Sequence, residues 1–186
     1  MEVKYHDFIH QNYQFPQREF KVVEDELFFN DVPLLEIVKT YGTPLKFSYL
    51  PRISENIQQA FAWFSDAMKK VRYEGSYQYA YCTKSSHFKH VLNEVLKNPV
   101  TLETSYTTDL YIVEQLVREN RLSKKGQIIC NGCKPLSYLK KIVEMREAGY
   151  TGILPVLDSK DELLQLSPLL ASPCPVGIRI ASEEEP

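Results

Sequence analysis

Lys84 closes a short strand-like run, Tyr79-Ala80-Tyr81-Cys82-Thr83, and is followed by the small pair Ser85-Ser86. Lysine is disfavoured within strands, so this order puts an amine where a strand gives way to a loop. A neutral lysine amine is a strong nucleophile towards carbonyl carbon once burial or a nearby cation strips its proton, and Schiff-base chemistry is what the residue type offers. Position alone does not decide it, because an exposed strand-end lysine is more often simply solvated. Other reactive groups carry weaker signals. Cys130-Asn131-Gly132-Cys133 has redox or zinc spacing, but no second pair follows it. His87 and His90 fall on one face of the next helix without a third ligand at suitable spacing, so no metal is expected. The tyrosines from Tyr73 to Tyr81 read as packing rather than as a platform for bases.

Such an amine needs strands to carry it, and the chain supplies them. Candidate strands run from Tyr77 to Thr83, Val100 to Thr104, Gln127 to Cys130, Ile153 to Leu157 and Val176 to Ile180. Amphipathic helices alternate with them, the pattern of βαβ units on a parallel sheet. Phe88, Val91, Leu92, Val95 and Leu96 make one apolar face at helical spacing; Leu110, Val113, Leu116 and Val117 make the next. Leu139, Ile142 and Val143 form a third, which Gly149 can stop in a left-handed cap. Leu163, Leu166, Leu169 and Leu170 form a fourth, starting near Ser159 and closed by Ser172-Pro173.

Successive strands start roughly 22 to 27 residues apart, the spacing of a (β/α)8 barrel, which needs about 250 residues for its eight units. The expectation is therefore an α/β fold: a partial TIM-like barrel of about five strands, cut after the fifth and filling residues 47–186. In barrels of this kind chemistry sits at the carboxyl ends of the strands, where Lys84 falls.

Residues 1–46 differ in character. Phe20 to Val23 and Leu27 to Phe29 flank Glu24-Asp25-Glu26 like a hairpin, and a helix of Leu34, Leu35, Ile37, Val38 and Tyr41 runs on to Gly42. Leu45 to Leu50 is a further strand candidate, followed by a long helix with its stripe from Ile53 to Met68. This front segment is expected to belong to a second, β-rich domain.

The 186 residues are 44% apolar, enough to bury a core. A net charge of −2 leaves no basic footprint for nucleic acid or an anionic membrane surface. The start, Met1 to Asp7, lacks the basic-then-apolar order of a secretory signal, and no apolar run nears the roughly 18 residues of a membrane span. Four cysteines, mostly in apolar surroundings, suit reduced thiols. A cytoplasmic protein without nucleic-acid or membrane partners is the expectation.

Taken in order, several features resemble one family. They are Tyr41-Gly42-Thr43-Pro44-Leu45, the long helix, Tyr81-Cys82-Thr83-Lys84-Ser85-Ser86, an acidic strand end at Glu103, Asn131-Gly132, Leu157-Asp158-Ser159, and Ile178-Arg179-Ile180. The series is similar to the fold-type III pyridoxal-phosphate amino-acid decarboxylases, with their alanine racemase-like barrel, over roughly residues 20 to 182. The resemblance implies pyridoxal 5'-phosphate bound covalently at Lys84, with Glu103, Asn131 and Arg179 lining the cofactor site. It further implies a homodimer in the complete protein and decarboxylation of a basic amino acid.

Around the lysine the family more often has Tyr-Ala-Val-Lys followed by Ala or Cys and then Asn, so Cys82, Thr83, Ser85 and Ser86 are departures. The run Tyr81 to Phe88 resembles a bacterial arginine decarboxylase subgroup, which ranks arginine first as substrate, diaminopimelate second and ornithine third. Two rivals are a non-catalytic pyridoxal-phosphate carrier, which would not need the front hairpin, and an interaction fragment that keeps only the fold's shape. The family's phosphate loop, ring-stacking histidine and substrate elements would follow Pro186, so the chain alone is expected to be inactive.

Overall fold

Glu24 and Asp25 both take positive φ, 50° and 65°, the two-residue turn whose twist matches that of paired strands. Strands β1 (Phe20–Val23) and β2 (Glu26–Phe29) therefore pair antiparallel, with Val23 opposite Glu26. Asn30 and Asp31 repeat the device at 46° and 64° and add β3 (Val32–Pro33) to the sheet. The sequence reading missed this strand, since two residues carry no period. Phe29 is buried, with the rings of Phe20 and Phe47 edge-on at 5.0 and 5.2 Å. Helix α1 (Leu34–Tyr41) follows and stops at Gly42, φ 80°.

These coordinates come from a computed structural model that describes residues 19–180. The expectations for Met1 to Asp7 and for the acidic tail from Ala181 to Pro186 lie outside the described residues. The chain divides into two compact units between Ser48 and Tyr49. The strand expected from Leu45 to Leu50 does not form: that stretch is irregular and ends in a turn. A strand needs a partner edge, and this run pairs with none among the described residues.

In the second unit, α2 (Pro51–Val71) has Pro in its first turn and ends at Arg72 in the left-handed region. A five-stranded sheet follows: β4 (Tyr79–Cys82), β5 (Val100–Thr104), β6 (Ile128–Cys130), β7 (Ile153–Leu157) and β8 (Gly177–Ile178). The strands lie in sequence order and every pair is parallel. Between them stand α3 (Lys89–Val95), α4 (Thr107–Arg118), α5 (Leu136–Glu147) and α6 (Lys160–Leu166).

Alternation along the strands separates two faces. Leu102, Ile128, Cys130 and Ile153 point at the helices and share one core with Leu92, Leu110, Val113, Tyr138, Ile142 and Met145. Burying each large aliphatic side chain contributes about 1.5–3 kcal/mol. On the other face Cys82, Glu103, Ile129 and Leu154 stand in register and are half-buried. Sequential parallel order with helices packed on one face is the arrangement of a (β/α) barrel, not of a doubly wound sheet.

Three strands are shorter than expected: β4 begins at Tyr79 and not Tyr77, β6 at Ile128 and not Gln127, and β8 keeps only Gly177–Ile178 of the run from Val176 to Ile180. Two further boundaries differ for clear reasons. β4 stops at Cys82, one residue short of Thr83, because the Ser85 amide bonds Cys82 O at 3.2 Å and closes a turn. The last leucine stripe does not run through as one helix: α6 ends at Leu166 and Ser167–Leu169 is a 3-10 turn. Pro168 has no amide hydrogen to continue the ladder. Gly149, at φ 89° just beyond α5, is the expected left-handed stop.

Candidate active site

Because all five strands are parallel, their carboxyl ends make a single rim. Lys84 lies there in the turn after β4, exposed, and forms no hydrogen bond or ion pair with another described residue. Its neighbours are tied down on both sides. Ser85 Oγ donates to Cys82 O at 2.7 Å, and Tyr81 donates its hydroxyl proton to Ser86 O at 3.0 Å. Thr83 is buried; its amide bonds Glu103 O at 2.9 Å and its hydroxyl reaches Asp109 Oδ2 at 2.8 Å. The amine is thus a free group on an anchored backbone.

One strand over, Glu103 pairs in register with Cys82, two residues before Lys84. Its Oε1 accepts a hydrogen bond from Asn131 Nδ2 at 3.1 Å. The Asn131 amide bonds Thr104 O at 2.8 Å, which extends β6 to the rim, and Gly132 then turns away at φ 73°. A side chain is disfavoured at that φ, so glycine suits the position. Asn131 Oδ1 is buried and has no partner among the described residues.

At the far end of the rim, the Arg179 amide bonds Leu157 O at 2.9 Å and its guanidinium lies 3.5 Å from Asp158 Oδ2. Asp158 Oδ1 is also buried without a partner among the described residues. Beside this pair is a cleft of about 290 Å³ lined by Asp158, Ser159, Lys160, Leu163, Ile178 and Arg179.

The rim loops are braced from below by groups that the sequence reading did not single out. Lys134 Nζ is fully buried, bonds Gly132 O at 2.7 Å, also reaches Val156 O, and pairs with Glu162 Oε2 at 3.2 Å. Glu162 accepts the backbone amides of Lys134 at 2.8 Å and Asp158 at 3.0 Å. Burial alone would raise the Glu162 carboxyl, but these amides and the Lys134 ammonium outweigh it and hold the group below the usual carboxylate range. The spacing Ser159-x-x-Glu162 is a capping-box signal that could have located half of this brace.

Lys84, Glu103, Asn131 and Arg179 therefore all reach one rim, but only Glu103 and Asn131 touch each other. Arg179 pairs with Asp158, a neighbour noted in the motif though not among the expected site residues. Cys130 is buried and its thiol is pushed up to about 11 by burial, with a partial offset from Thr104, whereas Cys133 is exposed. The two are not poised as a dithiol. Among the described residues no group of three or more His, Cys, Asp or Glu side chains could hold a metal ion, and no helix is long and apolar enough to cross a membrane.

No family model matches the chain. Among curated proteins it is similar to the biosynthetic arginine decarboxylase of Prochlorococcus marinus, 26% identical over 155 residues, covering 78% of this chain and 23% of the relative. The biosynthetic arginine decarboxylase of Thermosynechococcus vestitus is 24% identical over 132 residues, covering 69% and 20%. The chain thus spans less than a quarter of the length of these relatives. Among solved structures, the biosynthetic arginine decarboxylase of Campylobacter jejuni superposes with a TM-score of 0.64 at 19% identity, over 98% of this chain and 32% of that one. Diaminopimelate decarboxylase from M. jannaschi gives 0.66 at 22% identity, over 87% and 36%. Both neighbours are decarboxylases with a TIM-barrel fold, which agrees with the strand order found here. Over the stretch compared, the chain is therefore similar in sequence to biosynthetic arginine decarboxylases and similar in fold to two solved decarboxylases.

Proposed function

We propose that this chain carries the cofactor-binding lysine of a pyridoxal-phosphate-dependent decarboxylase acting on a basic amino acid, with Lys84 as that lysine. The observation that carries the reading is the free Lys84 amine on an anchored turn at the same rim as the Glu103–Asn131 pair and Arg179. The donor set fits a phosphorylated pyridine aldehyde: an amine for the aldehyde carbon, a guanidinium for negative charge, and an acid with an amide to orient ring substituents. Two buried oxygens still lacking donors, on Asn131 and Asp158, fit a further polar group at the rim.

When bound, pyridoxal phosphate supplies an electron sink for the pair released as the bond from Cα to the carboxylate breaks. Lys84 Nζ would be the group that holds the cofactor through its aldehyde carbon. Glu103, oriented by Asn131, and Arg179, held by Asp158, would line the site and orient the cofactor and substrate there. Carbon dioxide leaves and a proton takes its place on Cα, so arginine would give agmatine. Arginine ranks first because the curated relatives are arginine decarboxylases; diaminopimelate is the alternative, as one of the solved neighbours acts on it by name. A cytoplasmic homodimer completes the reading.

The test uses the full-length protein with pyridoxal phosphate. Borohydride reduction followed by peptide mapping should place the trapped label on Lys84, and carboxyl-labelled arginine should release carbon dioxide faster than labelled diaminopimelate or ornithine. A label on another lysine overturns the site. A trapped label on Lys84 without release from any of the three amino acids favours a non-catalytic carrier instead.

A further inference from the structure

Asp109 is the third residue of α4 and is 2% exposed, yet its Oδ2 collects three donors. Two are the backbone amides of Ser105 at 3.0 Å and Tyr106 at 3.2 Å, from the loop that follows β5. The third comes from a different strand: the hydroxyl of Thr83, 1% exposed, at 2.8 Å. The same hydroxyl lies 3.1 Å from Glu103 O, which also takes the Thr83 amide. One buried carboxylate thus ties the residue before Lys84 to the loop that leaves Glu103.

Glu162 stands at the equivalent third position of α6 and collects amides from two neighbouring loops in the same way. The brace at Asp109 differs in that its cross-strand arm is a side-chain hydroxyl. Valine at position 83 would fill nearly the same space and still leave Asp109 two amide donors, so threonine is not required by packing. What the hydroxyl adds is a fixed direction for the backbone of the next residue.

We propose that the buried Thr83–Asp109 hydrogen bond is a positioning device for Lys84, setting the backbone from which its amine reaches the rim. The inference rests on the assignment of Lys84 above. A lysine side chain has four rotatable carbons and this one has no partner of its own among the described residues, so its mean position depends on where its Cα is held. Thr83 and Asp109 act through Lys84 and do not touch the reacting atoms.

The experiment compares full-length wild type, Thr83→Val, Thr83→Ser and, as a control, Ser54→Ala, which removes a hydroxyl bond to Glu94 between α2 and α3, away from the rim. Amide hydrogen exchange is measured without cofactor, and borohydride-trapped pyridoxal at Lys84 is mapped across pyridoxal-phosphate concentrations. In Thr83→Val, exchange at residues 84–86 should rise and half-saturation of trapping should move up by about tenfold, the weight of one hydrogen bond to a charged group. Thr83→Ser should restore both, and Ser54→Ala should shift neither. Wild-type trapping in Thr83→Val, or a rise in exchange spread evenly over the barrel, overturns the positioning role while leaving Lys84 assigned. Failure of the wild type to trap at Lys84 overturns the functional reading, and the positioning role with it.

Discussion

Asn131 Nδ2 donates to Glu103 Oε1 at 3.1 Å, across neighbouring strands and on the face turned away from the helices. Half-buried polar groups on the open face of a parallel sheet cost desolvation, and this bond offsets part of it. The amide oxygen is buried and has no partner among the described residues. A single contact thereby orients two of the expected site residues.

Replacing Asn131 by Asp sets a second carboxylate against Glu103. The two must then repel or share a proton. We expect the variant to lose about 1–2 kcal/mol at pH 7, from the lost hydrogen bond and the added repulsion. Urea titrations of wild type, Asn131→Asp and Asn131→Ala measure this; a loss in Asn131→Asp no larger than in Asn131→Ala would show that charge is not the cause.

The buried Lys134–Glu162 pair predicts an acid-sensitive brace. A carboxyl held low in the folded state contributes stability above its unfolded value, here near 4.5, and that contribution is lost as pH falls through the folded value. Thermal melting of wild type should therefore fall below about pH 4.5, and Glu162→Gln should flatten that part of the curve. Lys134→Met leaves the carboxylate buried without its cation and should cost about 3–5 kcal/mol at pH 7. A loss below about 1 kcal/mol, the range of exposed pairs, would contradict the burial of both groups.

Which parts of this were readable beforehand follows from range. The pattern from Val100 to Thr104 and from Ile153 to Leu157 gave both strands to the residue, because β-branched and aliphatic residues dominate each of these short runs. Leu45 to Leu50 has the same local look but no partner edge, which is a tertiary fact. Pro168 was legible as a helix breaker and was overridden by the leucine stripe around it. The place of Lys84 just after a strand was readable by a local rule, a charge at a strand end, and its proposed role comes from a resemblance. Thr83–Asp109 and Lys134–Glu162 join residues 26 and 28 positions apart, so only the register of the strands brings them together.

Cys130 and Cys133 should part company towards thiol reagents. With the Cys130 thiol pushed up to about 11 by burial, almost none of it is thiolate at pH 8, and Thr104 and Tyr138 close over it. Iodoacetamide at pH 8 should label Cys133 in minutes and reach Cys130 only after unfolding. Peptide mapping decides the matter, and comparable labelling of both in the folded chain would restore the dithiol reading.

At the opposite end of the strands, Gly152 precedes β7 and its carbonyl accepts the Ile128 amide at 3.0 Å. A Cβ placed there would lie 2.1 Å from Gly126 O and 2.8 Å from Lys125 O, both backbone atoms that cannot swing aside. Gly152→Ala must then push β6 and β7 apart where they begin, and overpacking of this kind costs about 1–3 kcal/mol. In barrels the amino-terminal end supports the fold while chemistry stays at the carboxyl-terminal rim. The variant should therefore melt several degrees lower, yet at a temperature where it remains folded it should trap pyridoxal at Lys84 to the wild-type extent. Lost trapping in a folded variant would show that the two ends are coupled, and that the rim depends on strand spacing as much as on its own braces.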